Sequence, residues 1–189
     1  LMVAGYTVER QEYVAMGVPV WNLIAVKTGA DRPEEPLIVG AHYDTCFNPG
    51  ADDNASGVAG LLELARQLAP QTVSRTIRFI AFVNEEPPLF QTDRMGSRVY
   101  TAAAKARGEQ IRGALILEML GYYSDQPRSQ RYPPLLGIGR PNRGNFIGVV
   151  SNFRSARLAN AVTDAFKRHS AFPIESVATF EQIPGVAWS

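Results

Sequence analysis

The sequence predicts an α/β fold: a three-layer α/β/α sandwich around a mixed, mostly parallel sheet, with an antiparallel N-terminal hairpin at the edge. From residue 37 onward, short apolar segments alternate with segments of helical spacing, which is the pattern of a parallel sheet covered by helices. The first 30 residues instead contain two strand-like segments in succession. At 189 residues, the chain is long enough to bury a substantial core, and we predict a single domain over residues 1–189.

The N-terminal hairpin is predicted from residues 7–14 and 18–27. Alternating apolar positions such as Val20 and Leu23 favour β structure, and Met16-Gly17 marks the bend between the two strands. Residues 31–36, DRPEEP, are polar and bounded by proline, which predicts a loop.

The rest of the chain is predicted to alternate between strands and helices. Residues 55–68 place apolar side chains at helical spacing, and Pro70 follows. Residues 125–145 are rich in Pro, Gly and Arg and predict a long loop. The other predicted elements are strands at residues 37–41, 76–83, 112–117, 146–151 and 177–180, and helices at residues 94–107 and 155–169.

Composition and charge exclude several classes of protein. The net charge of +1 gives no reason to expect nucleic acid, which usually needs a strongly basic face. No apolar segment approaches the roughly 20 residues of a membrane span. Cys46 is the only cysteine, which excludes an internal disulfide, and we interpret it as a small buried residue.

The two ends of the sequence predict an incomplete chain. It opens with Leu1 rather than Met, and it stops at PGVAWS, an apolar approach to what resembles another strand end. We therefore expect a longer protein, truncated here at the C-terminus.

Side chains of the metal-ligand type follow three of the predicted strands. His42 and Asp44 follow the strand at residues 37–41, Glu85 and Glu86 follow the next, and Glu118 follows the third. Strands of α/β proteins place their ligand-binding groups at such carboxyl ends. Asp44 lies two residues after His42 and can therefore accept a hydrogen bond from its ring.

Some of these residues also have a purely structural interpretation. A single histidine is more often structural than a ligand, and Asp44 could simply form a turn. Asp52-Asp53-Asn54 could cap the helix that follows. Capping does not explain two adjacent carboxylates beside a histidine, because their repulsion costs stability unless a cation lies between them.

The three glutamates also have alternative interpretations that involve no metal. Glu85 and Glu86 could form a solvated strand end, although two glutamates in a proline-bounded turn favour one ligand and one base. Glu118 lies in the apolar segment ALILEML, where an unpaired carboxylate would be costly to bury. The alternative is a salt bridge from Glu118 to an arginine.

One histidine with several carboxylates suits Zn²⁺, with cobalt or manganese as substitutes. Paired ions can lower the pKa of a shared water to about 7 and hold the attacking and carbonyl oxygens. A neighbouring glutamate would take the proton of the water and pass it to the leaving amine. The residues therefore predict metal-assisted hydrolysis of an acyl bond, most naturally a peptide bond.

Five motifs in residues 37–123 carry a resemblance to a known family. They are HYD at 42–44, PGADDNASG at 49–57, NEEPP at 84–88, MGS at 95–97 and EMLGYY at 118–123. Their order and spacing resemble the zinc-dependent aminopeptidases with two co-catalytic metals. That superfamily includes glutamate carboxypeptidases and, more distantly, glutaminyl cyclases. The resemblance implies a peptide substrate and is compatible with a secreted or periplasmic location.

The resemblance also implies a set of metal ligands. His42 would bind one Zn²⁺, Asp53 would bridge both ions, Glu86 would bind the second and Glu118 would complete the first. The family takes a further histidine for the second ion from a later segment, and no histidine follows His169 here. We therefore expect one ion to be held firmly, the other weakly, and activity to be impaired.

The remaining implied roles are catalytic. Glu85 would be the general base, and Asp44 would orient His42. The peptide bond after the bridging aspartate is often cis in this family, which makes the bond between Asp53 and Asn54 a candidate for that geometry.

Three functions remain open from the sequence. The first is an exopeptidase, most naturally an aminopeptidase. The second is a catalytically silent relative that acts as a binding module, and the presence of Glu85 argues against it. The third is a glutaminyl cyclase-like acyltransferase, which would use one Zn²⁺, and the DDNASG and NEE motifs argue against it.

Overall fold

The computed structural model describes residues 1–132, 137 and 139–179. By its internal packing the chain divides into two compact units, Leu1–Gly121 and Tyr122–Ser189. The five-stranded sheet lies in the first unit and a two-stranded sheet lies in the second. The single domain over residues 1–189 stays a prediction.

The first unit is built on a mixed sheet that carries two helices. Its elements are strands β1 Val8–Ala15, β2 Val18–Lys27, β3 Arg32–His42, β4 Arg75–Phe82 and β5 Gly113–Ile116, and helices α1 Ala55–Leu68 and α2 Gly96–Ala106. Across the sheet, the strands follow the order β1-β2-β4-β3-β5. The pairs β1–β2 and β2–β4 are antiparallel, whereas β3 runs parallel to both β4 and β5. The predicted α/β class, with a mixed sheet and the N-terminal hairpin at one edge, is confirmed.

The hairpin closes at the predicted bend. Met16 and Gly17 both have positive φ angles, 50° and 77°. A two-residue loop with this backbone matches the twist of the strands it joins, and glycine adopts the conformation without steric cost. The loop fixes the register of the strand pair, in which Ala15 lies opposite Val18.

The two helices cover opposite faces of the sheet. Alternate residues of a strand point to opposite faces. Val39 of β3 therefore packs in one cluster with Leu61 of α1, and Ile38 packs in another with Tyr100 of α2. Both helix residues are almost completely buried. The first unit thus has the three layers that the sequence predicts.

The second unit contains strands β6 Ile147–Asn152 and β7 Ile174–Thr179, joined through helix α3 Ala156–His169. The two strands pair in parallel, from Ile147 opposite Ile174 to Asn152 opposite Thr179. Ala159 and Thr163 form the buried positions of α3. Within the described residues, this pair is a sheet of its own.

Most predicted elements lie within two residues of their observed bounds, and α1 has the predicted bounds. The last strand begins at Ile174 rather than at 177, and Phe180, its predicted end, lies outside the described residues. The predicted loop at 125–145 contains no helix or strand among the residues the structure describes.

The prediction of a loop at residues 31–36 is wrong, because β3 already begins at Arg32. Arg32 pairs with Arg75 of β4, and the register shifts before Leu37. β5 pairs with β3 only from Leu37 onward. Among the described residues, no strand pairs with β3 on its β5 side before Leu37, so proline can be accommodated there without the loss of a ladder hydrogen bond.

Among the described residues, none of the helices combines the length and the apolar character that a membrane crossing requires.

A buried asparagine connects three elements of the first unit. Asn22 of β2 is fully buried. Its amide nitrogen donates to the carbonyl of Gly96 at 2.9 Å, and its Oδ1 accepts from the N–H of Val83 at 3.1 Å. These bonds hold the start of α2 beside the residues that follow β4.

Replacing this side chain with an apolar one of similar size tests that connection. We expect Asn22→Leu to lower the free energy of unfolding by about 2–4 kcal/mol, because buried backbone groups at Val83 and Gly96 lose their partners. Chemical denaturation of the metal-free chain measures the change. The same substitution at Asn160, on an exposed position of α3, is the control and should change stability by less than about 0.5 kcal/mol. Equal losses for both variants would contradict the interpretation.

Candidate metal centre

His42 lies at the carboxyl end of β3, where the ends of three parallel strands meet. It pairs in register with Phe82, the last residue of β4. On the other side, the N–H of Leu117 donates to the carbonyl of Gly40 at 2.8 Å and extends the pairing with β5. When parallel strands end at the same level, the residues that follow them lie at one edge of the sheet. The imidazole itself is only 2% exposed.

Asp44 connects this strand end to the neighbouring one. Its two carboxylate oxygens accept the backbone N–H groups of Glu85 and Glu86, at 3.2 and 3.0 Å. The Nδ1 atom of His42 lies 3.1 Å from the carbonyl of Asp44 and 3.6 Å from its carboxylate. The hydrogen bond of His42 Nδ1 therefore goes to the main-chain carbonyl of Asp44 rather than to the side chain that the sequence predicts.

Two carboxylates, those of Asp53 and Glu118, lie beside the Nε2 atom on the other edge of the imidazole. The Nε2 atom of His42 lies 3.1 Å from Asp53 Oδ1 and 3.3 Å from Glu118 Oε1. One ligand atom from each of the three residues lies within 4.8 Å of the other two. Glu85 Oε2 is slightly farther, 3.8 Å from the same nitrogen. This trio of His42, Asp53 and Glu118 is the metal-type cluster that the structure assembles.

The donor set fits a cation of the zinc type. Zn²⁺ takes imidazole nitrogen together with carboxylate oxygen, and carboxylates this close repel each other unless a positive charge lies among them. A second observation points the same way. Oε1 of Glu86 is buried, and within the described part of the chain it has no hydrogen-bond partner. A buried oxygen of this kind is costly unless a ligand satisfies it.

The segment before α1 brings Asp53 into the cluster. Asn54 caps the helix, its Oδ1 accepting from the N–H of Gly57 at 3.0 Å. The peptide bond between Asp53 and Asn54 is cis, as the resemblance implied. Asp52 faces elsewhere, because its Oδ1 accepts from the N–H of Gly121 at 2.7 Å. Of the two adjacent aspartates, Asp53 is the one in the cluster.

The carboxylates hold a proton on His42 when no metal is bound. Burial alone would lower the pKa of His42, but its contacts with Asp44 and Glu118, and the charge of Glu85, raise that pKa to about 11. The imidazole therefore carries positive charge at neutral pH, in a position where a metal ion would supply it instead.

The pKa values of the two glutamates that follow β4 are also raised. Burial, followed by the charges of Glu118 and Glu86, raises the pKa of Glu85 to about 7, although His42 opposes the shift. Burial and the charge of Asp53 also raise the pKa of Glu86. A carboxyl group with a pKa near neutrality can accept and release a proton at physiological pH, which is what a general base requires.

The sequence also led to expectations for Glu118, Cys46 and His169. Glu118 is held by His42 and Asn54, and no arginine of the described chain lies within ion-pair distance of it. Cys46 is partly buried rather than fully buried, as it was interpreted from the sequence. His169 ends α3 in the second unit.

Sequence reasoning missed the contact between Asn54 and Glu118. Asn54 was interpreted as part of a helix cap, which is correct but incomplete. Its amide nitrogen also donates to Glu118 Oε2 at 3.0 Å, across 64 positions of the chain. No local pattern signals a contact between residues so far apart.

The comparisons with known proteins agree with this geometry. Residues 22–172 match peptidase family M28. The uncharacterized protein YfbL of Escherichia coli K12 is 38% identical over 196 residues, covering 98% of this chain and 59% of that protein. The chain thus spans about three fifths of the length of this relative.

Two solved structures are also similar. The zinc aminopeptidase BSAP from Bacillus subtilis has a TM-score of 0.63 and 25% identity, over 87% of this chain and 36% of that one. A glutaminyl cyclase from Macrostomum lignano has a TM-score of 0.60 and 18% identity, over 96% of this chain and 61% of that one. The second likeness concerns the fold alone. With the family match over most of its length, the chain belongs to peptidase family M28, and the resemblance of its motifs to zinc-dependent aminopeptidases is confirmed.

Proposed function

We propose that this chain carries the catalytic centre of a zinc-dependent exopeptidase, specifically an aminopeptidase. The observation that carries the proposal is the convergence of His42, Asp53 and Glu118, whose ligand atoms lie within 4.8 Å of one another at the end of the sheet. Membership of peptidase family M28 and the similarity to a zinc aminopeptidase support the reaction class.

His42, Asp53 and Glu118 would hold one Zn²⁺. Asp53 and Glu86 would contribute to a second ion, and the buried, unpartnered Oε1 of Glu86 supports that assignment. When bound, zinc polarises a carbonyl and lowers the pKa of water, so that peptide hydrolysis can proceed at neutral pH.

Glu85 would act as the general base. Its Oε2 atom lies 3.8 Å from His42 Nε2, beside the cluster, and its side chain is 13% exposed. In its deprotonated form it would take a proton from the attacking water, and it would then hand that proton to the leaving amine. Asp44 would keep the base in place through its hydrogen bonds to the backbone of Glu85 and Glu86.

A glutaminyl cyclase-like acyltransferase is the second candidate. It is favoured by the fold likeness to a glutaminyl cyclase and by the single metal-type cluster found among the described residues. The two reactions are distinguished by parallel assays with aminoacyl and N-terminal glutaminyl substrates. A binding module without activity would turn over neither substrate.

Replacing the base with its amide tests the role of Glu85. We expect Glu85→Gln to keep its zinc and to lose about 10²- to 10⁴-fold in kcat, because the amide cannot accept the proton. Steady-state assays together with metal analysis measure both quantities. Glu63→Gln, which removes an exposed carboxylate of α1, is the matched control and should retain activity. Turnover by Glu85→Gln at the unchanged rate would refute the base assignment.

Zinc binding should release a proton, since the metal needs a neutral imidazole and the pKa of His42 is about 11 without metal. At pH 7.5 we expect release of about one proton per zinc from this residue. Calorimetric titrations in buffers of different ionisation enthalpy measure the number. Proton release should fall in His42→Gln, and an identical release in that variant would contradict the assignment.

The same pKa shift predicts how the metal-free fold responds to pH. The folded pKa of His42 lies above its unfolded value of about 6.5, so the folded state binds the proton more tightly. Its contribution to stability is therefore fully present below pH 6.5 and is lost as the pH rises toward 11. Zinc should remove this dependence, because the bound ion replaces the proton.

A further inference from the structure

The segment that follows Glu118 is held by three side chains from the start of α1. The backbone N–H groups of residues 119–121 donate in succession to Asn54 Oδ1 at 3.2 Å, Ser56 Oγ at 2.8 Å and Asp52 Oδ1 at 2.7 Å. Consecutive N–H groups are thus each matched by one acceptor. The residues that place Asp53 in the cluster therefore also fix the backbone after Glu118.

Asn54 differs from the other two acceptors because it is 1% exposed and uses both ends of its amide. Its Oδ1 accepts from Gly57 and Met119, whereas its Nδ2 donates to the carbonyl of Leu117 at 2.9 Å and to Glu118 Oε2 at 3.0 Å. Exchanging the nitrogen and the oxygen would place donors against donors and acceptors against acceptors. The surroundings therefore determine the amide orientation.

The packing around Asn54 leaves this side chain little freedom. A Cβ atom added at Gly57 would clash with both Asn54 Oδ1 and the carbonyl of Leu117. Glycine at this position lets the first turn of α1 approach the segment that carries Glu118. The donor to Glu118 is consequently held by the helix cap on one side and by the strand end on the other.

The two carboxylate oxygens of Glu118 contact different residues. Oε2 receives the hydrogen bond from Asn54, and Oε1 faces His42 Nε2 at 3.3 Å. We propose that Asn54 is a positioning residue that makes Glu118 a one-oxygen ligand of the metal in the His42–Asp53–Glu118 cluster. The inference rests on the proposed metal site and concerns how that site is tuned.

A one-oxygen carboxylate affects which ion the site prefers. A carboxylate that binds through both oxygens adds to the coordination number, which suits ions such as Ca²⁺ with 6–8 oxygen ligands. Zn²⁺ favours about four ligands, so a glutamate restricted to one oxygen suits it better. By occupying Oε2, Asn54 favours zinc over ions of higher coordination number.

Asn54→Ser separates this role from helix capping. Serine still caps the helix, but its side chain is too short to reach Glu118 Oε2. Co²⁺ serves as the probe, because its visible absorption weakens as the coordination number rises. We expect the saturated variant to absorb more weakly than the unchanged protein, and its zinc Kd to rise about tenfold, as is usual when a partner of a ligand is lost.

Ser56→Ala is the matched control, because it removes one acceptor for the segment but no contact with Glu118. Its cobalt spectrum should keep the intensity of the unchanged protein. If Asn54→Ser does not fold, Asn54→Thr also keeps a capping oxygen for Gly57 and loses the donor to Glu118, without adding a charge. We expect the same weakening of the cobalt band in that variant.

The outcomes distinguish this inference from the proposed function. Failure of the unchanged protein to take up Co²⁺ or Zn²⁺ would overturn the metal site itself. Uptake by the unchanged protein, combined with an identical spectrum and an identical zinc Kd in Asn54→Ser, would overturn only the role assigned to Asn54.

Discussion

The structure depends on one electrostatic constraint, the gathering of several carboxylates around a buried imidazole at one edge of the sheet. Asp53 and Glu118 lie within 3.3 Å of His42 Nε2, and Glu85 lies within 3.8 Å. Carboxylates so close repel each other unless a positive charge lies among them. Without metal, a proton on His42 supplies that charge, and this is why its pKa is raised to about 11. This repulsion is the physical basis of the cation site that we propose, because a bound ion would relieve it.

The fold satisfies this constraint through strand order and through one helix cap. β3 lies between β4 and β5 and runs parallel to both. The residues that follow these three strands therefore lie at one edge of the sheet. Asp44 then joins two of these ends through backbone hydrogen bonds, and Asn54 joins α1 to the third. Polar groups that hold ligands in this way orient them and tune their basicity. The precision of the cluster thus comes from hydrogen bonds between segments that are distant in the sequence.

The sequence predicts most of the elements and points to several residues of the cluster, because these features depend on local patterns. Apolar periodicity locates α1, and ligand-type residues at strand ends identify His42 and Glu118. The same reasoning fails where pairing partners decide the outcome. The proline-bounded segment at 31–36 becomes strand because β4 pairs with Arg32 across a register shift. The amide of Asn54 reaches Glu118 only after the sheet has formed, so no spacing rule could reveal it.

Anomalous diffraction at the zinc absorption edge, on crystals of the chain grown with zinc, tests the central claim most directly. The claim predicts a strong peak at about 2.0–2.2 Å from His42 Nε2 and from oxygens of Asp53 and Glu118. A strongest peak elsewhere in the chain would contradict it. So would a structure in which His42, Asp53 and Glu118 lie too far apart to share one ion.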